Sequence, residues 1–426
     1  MAEAVQAYYR ESRKVFGVRN HVLILPTTPC VNRLAELVYE EFKGERWGEH
    51  GENRVVLARH NAGCCHVGFD LDVAFETLLG IASHPNVYGV LLVSLGCGQL
   101  CKRPLGSGES RLENLLSFKL YERLVKRGVE VRWVNLQEPW PESVDGFERV
   151  VELGRKFVRG MLERASSLKR TDAPLKRVVI GVGNGASDPT SGLFANPAVG
   201  YVVEKLVREG VSVVFCQTTE VLGSEGLLLS RVADETVARK LKRLLEAAYA
   251  VKEALSEYTL ETDPTPGNIA SGISTLAEKS LGSVLKIGSD ANVKILDVLP
   301  YARQVPRGRG GLFLMDSPGE DIPAITGMVA GGAHAVIFTT GLGTPAGSVV
   351  SPVLKVTANR ETYAKLASII DVYIPVEEVF SGRSLRELAV ETIYPALLDV
   401  LSGERLAKSE VNGQMDLDVR GYWLRA

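Results

Sequence analysis

Two short stretches of the chain carry side chains able to hold a metal. His60-Asn61-Ala62-Gly63-Cys64-Cys65-His66 and Leu95-Gly96-Cys97-Gly98 set imidazole and thiol groups in glycine-punctuated loops. Imidazole with thiolate suits Fe(II), zinc or an iron–sulfur centre. The competing reading makes Cys64 and Cys97 small buried residues that pack loop on loop, since no CxxC pair is present. Cys97 and Cys101 have a helical spacing, a weak ligand signal by itself. Cys30 stands alone after an apolar run.

A second set lies further along. Gly181-Val182-Gly183-Asn184-Gly185-Ala186-Ser187-Asp188 reads as a glycine-rich turn after a strand, with Asn196-Pro197 opening a helix. The spacing is not G-x-G-x-x-G, and the insert would separate the glycines from the helix end that should hold a pyrophosphate. A carboxylate cradle fits better, with backbone N–H groups and the Ser187, Ser191 and Asn196 side chains facing an anion. Glu220 ends an apolar run, Val211–Phe215, where a lone carboxylate is costly unless paired, metal-bound or protonated. It is a candidate ligand or general base. Glu225 reads equally as a charge at a helix N-terminus, and Asp316 as a ligand or a turn-former.

These loops must be positioned by the elements around them. Val22–Pro26, Arg54–Ala58, Gly89–Ser94 and Glu130–Val134 are short apolar runs without polar alternation. Helical stretches 33–42, 71–82 and 111–126 separate them. That pattern predicts a parallel sheet covered on both faces, whose loops leave at the carboxyl edge where ligands bind. A long helix over about 147–169 follows, and the polar, proline-terminated segment 170–174 after it reads as the boundary between the halves. The second half repeats the theme, with strands at 177–182, 211–215, 311–315, 335–338 and 353–357. The expected fold is therefore α/β, two Rossmann-like domains with mainly parallel sheets and a cleft between them. Their bounds are 1–172, carrying the cysteine loops, and 173–426. The Gly/Pro-rich segment 259–310, with one helical island near 275–286, is too long and irregular for a spacer and reads as part of a site.

Composition narrows the class. The chain has 426 residues, 45% hydrophobic and 23% charged, with a net charge of −2. That charge disfavours nucleic acid and acidic membrane surfaces. No stretch reaches the roughly 18 apolar residues of a membrane span. The stretch Met1–Arg19 carries Glu3, Arg10, Glu11, Arg13 and Lys14 without an apolar core, unlike a secretory signal. A cytoplasmic protein is expected, in which disulfides are disfavoured.

Longer motifs bring a resemblance. Gly17-Val18-Arg19-Asn20 and Pro26-Thr27-Thr28-Pro29-Cys30-Val31-Asn32 resemble the opening of the altronate/D-galactarate dehydratase core. The two cysteine loops resemble those of the same family. So do Ser187-Asp188 with Ser191-Gly192, Ala195 to Gly200, Met315 to Gly319, and Phe338-Thr339-Thr340-Gly341. The run from Pro264 through Asn268, Ser274-Thr275 and Glu278-Lys279-Ser280-Leu281-Gly282 is the most specific. The resemblance spans nearly the whole chain in order. Leu342 stands where the family usually has arginine, and Gly226 where it commonly has histidine.

The resemblance implies elimination of water from an aldonate or aldarate to give a 2-keto-3-deoxy acid, with Fe(2+) or another divalent metal. His60, Cys64, Cys97 and Glu220 are the candidate ligands. Lys279, Glu220 and Glu278 are the candidate catalytic groups, Lys279 serving as a base only if burial lowers its pKa. Ser187, Asp188, Ser191, Asn196, Asn268, Ser280, Thr339 and Thr340 are the candidate substrate contacts. Many family members carry a small N-terminal SAF domain not found in this sequence, so a separate small SAF-domain subunit is expected, together with homo-oligomerisation. Two rivals stand beside this reading: a sulfolactate sulfo-lyase large subunit, and a nucleotide-dependent oxidoreductase using Gly181–Gly185.

Overall fold

The computed structural model describes residues 4–63, 66, 68–96, 116–254 and 264–419. Its first half is a five-stranded sheet in the order β4-β5-β3-β6-β7. The strands are β3 (His21–Pro26), β4 (Arg46–Trp47), β5 (Asn53–Leu57), β6 (Val87–Ser94) and β7 (Glu130–Asn135). All pairs are parallel except β4 with β5. Every residue of β3 is buried, as a continuous apolar run between two covered faces requires. Helices α1 (Asn32–Tyr39) and α4 (Gly146–Ser167) cover one face, α2 (Phe69–Ala82) and α3 (Leu116–Lys126) the other. Helix α4 is started by Asp145, whose carboxylate accepts from the Phe147 and Glu148 N–H groups. It buries a stripe of Val150, Gly154, Val158, Met161 and Ala165. Each large apolar side chain there contributes about 1.5–3 kcal/mol. Gly154 lets α1 approach, because a Cβ there would lie 2.8 Å from Val38.

The second half is a seven-stranded, all-parallel sheet in the order β11-β12-β10-β9-β13-β14-β15. Its strands are β9 (Val179–Gly185), β10 (Ser212–Phe215), β11 (Ile295–Leu299), β12 (Gly311–Met315), β13 (Ala335–Thr340), β14 (Val353–Thr357) and β15 (Val372–Tyr373). Helices α5 (Asn196–Arg208), α6 (Glu225–Leu229) and α7 (Glu235–Ala254) are followed by α8 (Pro266–Ala270) and α9 (Leu276–Val284). Then come α10 (Asp321–Ala330), α11 (Arg360–Lys365), α12 (Val376–Phe380) and α13 (Leu385–Ser402). The chain runs from β9 to β10 on one side and returns to β13 on the other. The β9/β13 boundary is thus the point where an open sheet forms a crevice.

The halves are joined in two ways. Strand β1 (Ala4–Arg10) pairs antiparallel with β2 (Val15–Gly17) and with β8 (Thr171–Pro174). The stretch before Pro174, expected as a polar boundary, is thus a strand pairing Val5 with Ala173. Helix α2 also packs on α10, and one apolar cluster takes in Leu78, Leu79, Met328 and Val329. Gly80 permits this contact: a Cβ there would meet the Ala330 carbonyl oxygen at 2.3 Å.

Two further expectations need correction. Gly181, Gly183 and Gly185 do not form a turn; they are the end of strand β9. Glycine was read as a turn-former, but here it clears one face of a crowded strand. A Cβ on Gly183 would lie 2.7 Å from the Phe338 ring, and one on Gly185 2.1 Å from Asp321 Oδ1. The three glycines thus lie inside the strand and leave none in the turn before the helical segment, which begins at Pro189 and passes through a π-helical turn, Ser191–Ala195, into α5; a dinucleotide loop needs them in that turn. Segment 259–310 holds the helical island expected near 275–286 as α9, and among its described residues, 264–310, it also contains α8 and the edge strand β11, so it is more regular than expected. No helix among the described residues is long and apolar enough to cross a membrane.

Candidate active site

The loops after β9 and β13 meet at the crevice. Ala186, at φ +45°, turns its carbonyl to accept from the Gly341 and Leu342 N–H groups at 3.0 and 2.8 Å. Asp188 follows and is almost fully engaged. It accepts from Thr190 Oγ1, from the Ser191 N–H at 2.8 Å and from Asn359 Nδ2 at 2.8 Å. Asp188 therefore holds the turn together. Gly341 must be glycine, because a Cβ there would lie 2.1 Å from Asp188 Oδ1.

Against this turn lies a cavity of about 130 Å³ lined by Ser187, Asp188, Ser191, Asn196, Glu278 and Lys279, with apolar walls from Leu193, Ile273 and Leu281. Helix α9 supplies the two charged side chains 278 and 279. Thr275 caps the helix by accepting from the Glu278 N–H at 3.2 Å. The Glu278 carboxylate reaches back to the Ser274 N–H at 2.8 Å and its hydroxyl at 2.7 Å, bonds that lower its pKa. Lys279, Ser283 and Lys286 follow at intervals of four and three residues, which puts them on one side of the helix.

That side faces Glu220. Lys279 Nζ lies 3.4 Å from Glu220 Oε1, with both side chains nearly buried. Glu220 Oε2 accepts from Asn184 Nδ2 at 2.7 Å and from Ser283 Oγ at 3.3 Å. Lys286 is fully buried and donates to Asn184 Oδ1, Gln217 Oε1 and Ser283 Oγ. Burial pulls the Lys286 pKa down, and the Glu220 carboxylate opposes that pull. Gln217 carries a left-handed backbone, φ +75°, at the end of β10. Such a residue costs roughly 1–3 kcal/mol and persists only where its surroundings fix it. Here its amide donates to the Asn184 and Gly319 carbonyls, and its own N–H donates to Ser317 Oγ at 2.8 Å. On the other side of β9, burial raises the Asp321 carboxyl to about 6, and a Thr344 hydrogen bond works against that rise.

The expected residues fall into groups. Ser187, Asp188, Ser191, Asn196, Glu278 and Lys279 share the cavity, with Glu220 behind Lys279. Asn268 supports the cavity from outside: its amide donates to the Ser187 carbonyl at 2.8 Å, and it forms a capping box with Thr265. Thr339 donates to Asn196 Oδ1, and Thr340 accepts from the Gly343 N–H at 2.9 Å, so both brace loops. The Ser280 hydroxyl is fully buried without a hydrogen-bond partner. Sequence reasoning passed over Asn184, Gln217, Ser283, Lys286 and Asp321. The spacing of Lys286 from Lys279 and Ser283 was the one signal that could have found it.

His60 belongs to the carboxyl edge of the first sheet. Its Nε2–H donates to the Pro26 carbonyl at 2.6 Å, and its Nδ1 accepts the Ala62 N–H at 3.2 Å. Burial lowers its pKa to about 4, so the ring is neutral. Metal-binding histidines share this pattern, in which one nitrogen is tied to a carbonyl so that the other carries the lone pair. The donor type fits a metal, with the Ala62 contact the one to be displaced. Thr28 Oγ1 and Asn32 Oδ1, near the same edge, are buried without hydrogen-bond partners. Cys64 and Cys97 lie outside the described residues. Among the described residues no three His, Cys, Asp or Glu side chains converge to hold a metal. No hydrogen bond or ion pair there joins His60 to Glu220, whose two oxygens face Lys279 and Asn184.

Comparison with known proteins follows the two halves. Residues 175–421 match the family described as D-galactarate/Altronate dehydratase, C-terminal, and residues 7–166 match D-galactarate dehydratase/Altronate hydrolase, second domain. Altronate dehydratase of Bacillus subtilis is 34% identical over 416 residues, 96% of this chain and 76% of that protein. (2R)-sulfolactate sulfo-lyase subunit beta of Chromohalobacter salexigens is 30% identical, covering 92% of this chain and 90% of its own. Altronate dehydratase of Escherichia coli is 31% identical over 91% of this chain and 72% of its own.

Proposed function

Because the chain belongs to the D-galactarate/altronate dehydratase family and is a hydro-lyase of that type, we propose that it converts an aldonate or aldarate to a 2-keto-3-deoxy acid. The observation that carries this reading is Lys279: it lines the cavity and pairs with Glu220 behind it. In this mechanism the substrate carboxylate lies against the turn 187–191. Lys279 hands its proton to Glu220, then removes the proton α to the carboxylate. The C–H bond breaks, Lys279 passes the proton it took to the β-hydroxyl oxygen as the C–O bond breaks, water leaves, and Glu220 returns its proton to Lys279. The resulting enol takes a proton at carbon and becomes the 2-keto acid. The cluster of Glu220, Asn184 and Lys286 excludes water around the transferred proton, which strengthens each charge interaction.

Iron is part of the proposal. It would be held by His60 with the Cys64 and Cys97 thiolates, and would supply a Lewis acid. A separate small SAF-domain subunit and a homo-oligomeric assembly belong to it as well.

One observation supports a second reading: the sulfo-lyase subunit is 30% identical over 394 residues, a likeness close to that of the Escherichia coli altronate dehydratase. That reaction would use the same α-proton removal with sulfite as the leaving group. Anaerobic purification, followed by assays of 2-keto acid and sulfite from D-altronate, D-galactarate and (2R)-sulfolactate, separates the two. A 2-keto acid from a sugar acid supports the dehydratase, whereas sulfite release alone supports the second reading.

A further inference from the structure

Lys286 takes no direct part in the reaction set out above, yet a fully buried ammonium is expensive unless the surrounding groups require it. An ammonium has three N–H donors and no acceptor. All three are used on side-chain oxygens: Asn184 Oδ1, Gln217 Oε1 at 3.2 Å and Ser283 Oγ at 3.0 Å. A carboxamide has an accepting end and a donating end, and only the accepting end can meet the ammonium. Asn184 therefore turns its Nδ2 to Glu220 Oε2, at 2.7 Å. That contact leaves Oε1 directed to Lys279, at 3.4 Å. Ser283 is oriented by the same rule: its oxygen accepts from Lys286, so its single hydrogen points to Asn184 Oδ1 or Glu220 Oε2.

We propose that Lys286 is a positioning residue for the dehydration, fixing the polarity of Asn184 and thereby holding Glu220 with one oxygen turned to Lys279. Without the ammonium, Asn184 Oδ1 keeps only the Ser283 hydroxyl as a donor, so the amide, and the Glu220 oxygen it holds, are fixed less firmly. The inference rests on Lys279 and Glu220 being the proton-transfer pair.

The test compares wild type with Lys286→Met and Asn184→Asp, using whichever of D-altronate, D-galactarate and (2R)-sulfolactate the wild type consumes. Crystal structures of each protein without substrate accompany the kinetics. Lys286→Met is expected to lower kcat about 100-fold, as for an ångström-scale misplacement of a reacting group, with KM nearly unchanged. Its pH–rate profile is expected to move, and Glu220 to turn from Lys279 in the crystal. Unchanged kcat with Glu220 in its wild-type position overturns the proposal. Should Lys286→Met fail to fold, Asn184→Asp keeps the ammonium paired but sets an oxygen against Glu220, and the same loss is expected; full activity there overturns the proposal equally. If wild type consumes none of the three acids, the functional reading fails, and the crystal structures alone decide the role of Lys286.

Discussion

Lys279 Nζ lies 3.4 Å from Glu220 Oε1, and this pair joins the cavity to the buried polar cluster behind it. Lys279→Met is predicted to lower kcat by about 10²–10⁴-fold, the usual contribution of a positioned acid–base group. Glu220→Gln is predicted to lose a similar factor and to unfold more easily than Lys279→Met. The reason is that Glu220 is the carboxylate paired with Lys279 and also favours the charged form of buried Lys286, so its removal weakens the compensation of two cations at once. Steady-state kinetics with thermal melts check both; equal melting temperatures for the two variants would contradict the charge argument.

Much of this site was readable before the structure, for stateable reasons. Glu220 was conspicuous because a carboxylate ending an apolar strand must be compensated. Lys279 was conspicuous through its motif and its place in a glycine-rich segment. Lys286 was not, since a lysine near the end of a helix usually lies in solvent; only the fold shows that strand β9 and Gln217 close over it. Strands β1 and β8 were missed because their pairing, Val5 with Ala173, is long-range and leaves no local signal. The end of β9 was missed because glycine weakens strands locally, while Phe338 and Asp321 leave room for nothing larger.

The joint between the halves gives a stability prediction. Gly80→Ala sets a Cβ 2.3 Å from the Ala330 carbonyl oxygen, a backbone atom that cannot swing aside. Overpacking of this kind costs about 1–3 kcal/mol. Urea titration of the variant should show that loss, and wild-type stability would mean that α2 does not seat on α10 as described.

His334 predicts a pH dependence. It is fully buried, donates from Nε2 to the Phe16 carbonyl at 2.9 Å and accepts the Val179 N–H at Nδ1. Burial first, and Arg307 second, lower its pKa from 6.5 to about 3. Below pH 6.5 the unfolded chain therefore binds a proton that the folded chain refuses, so this stability is present above pH 6.5 and is lost as pH falls toward 3. At pH 5 the loss amounts to about 2 kcal/mol. His334→Gln should flatten the decline between pH 7 and 5 in urea titrations relative to wild type; parallel curves would contradict the assignment.

The metal proposal is tested without turnover. Protein purified anaerobically is expected to contain iron by elemental analysis. Cys64→Ser and Cys97→Ser are each expected to fall to the level of a metal-free blank while keeping the wild-type far-UV spectrum. Undiminished iron in both variants would return those cysteines to a packing role.

The central claim is that the cavity beside Lys279 dehydrates a sugar acid. Its most direct test is to incubate the anaerobically purified protein, with and without a candidate SAF-domain subunit, with D-altronate and D-galactarate. The 2-keto-3-deoxy acid is then measured beside Lys279→Met. The account predicts product from at least one of the two acids with wild type and almost none with the variant. Equal product from both proteins, or none from wild type while (2R)-sulfolactate releases sulfite, would contradict it.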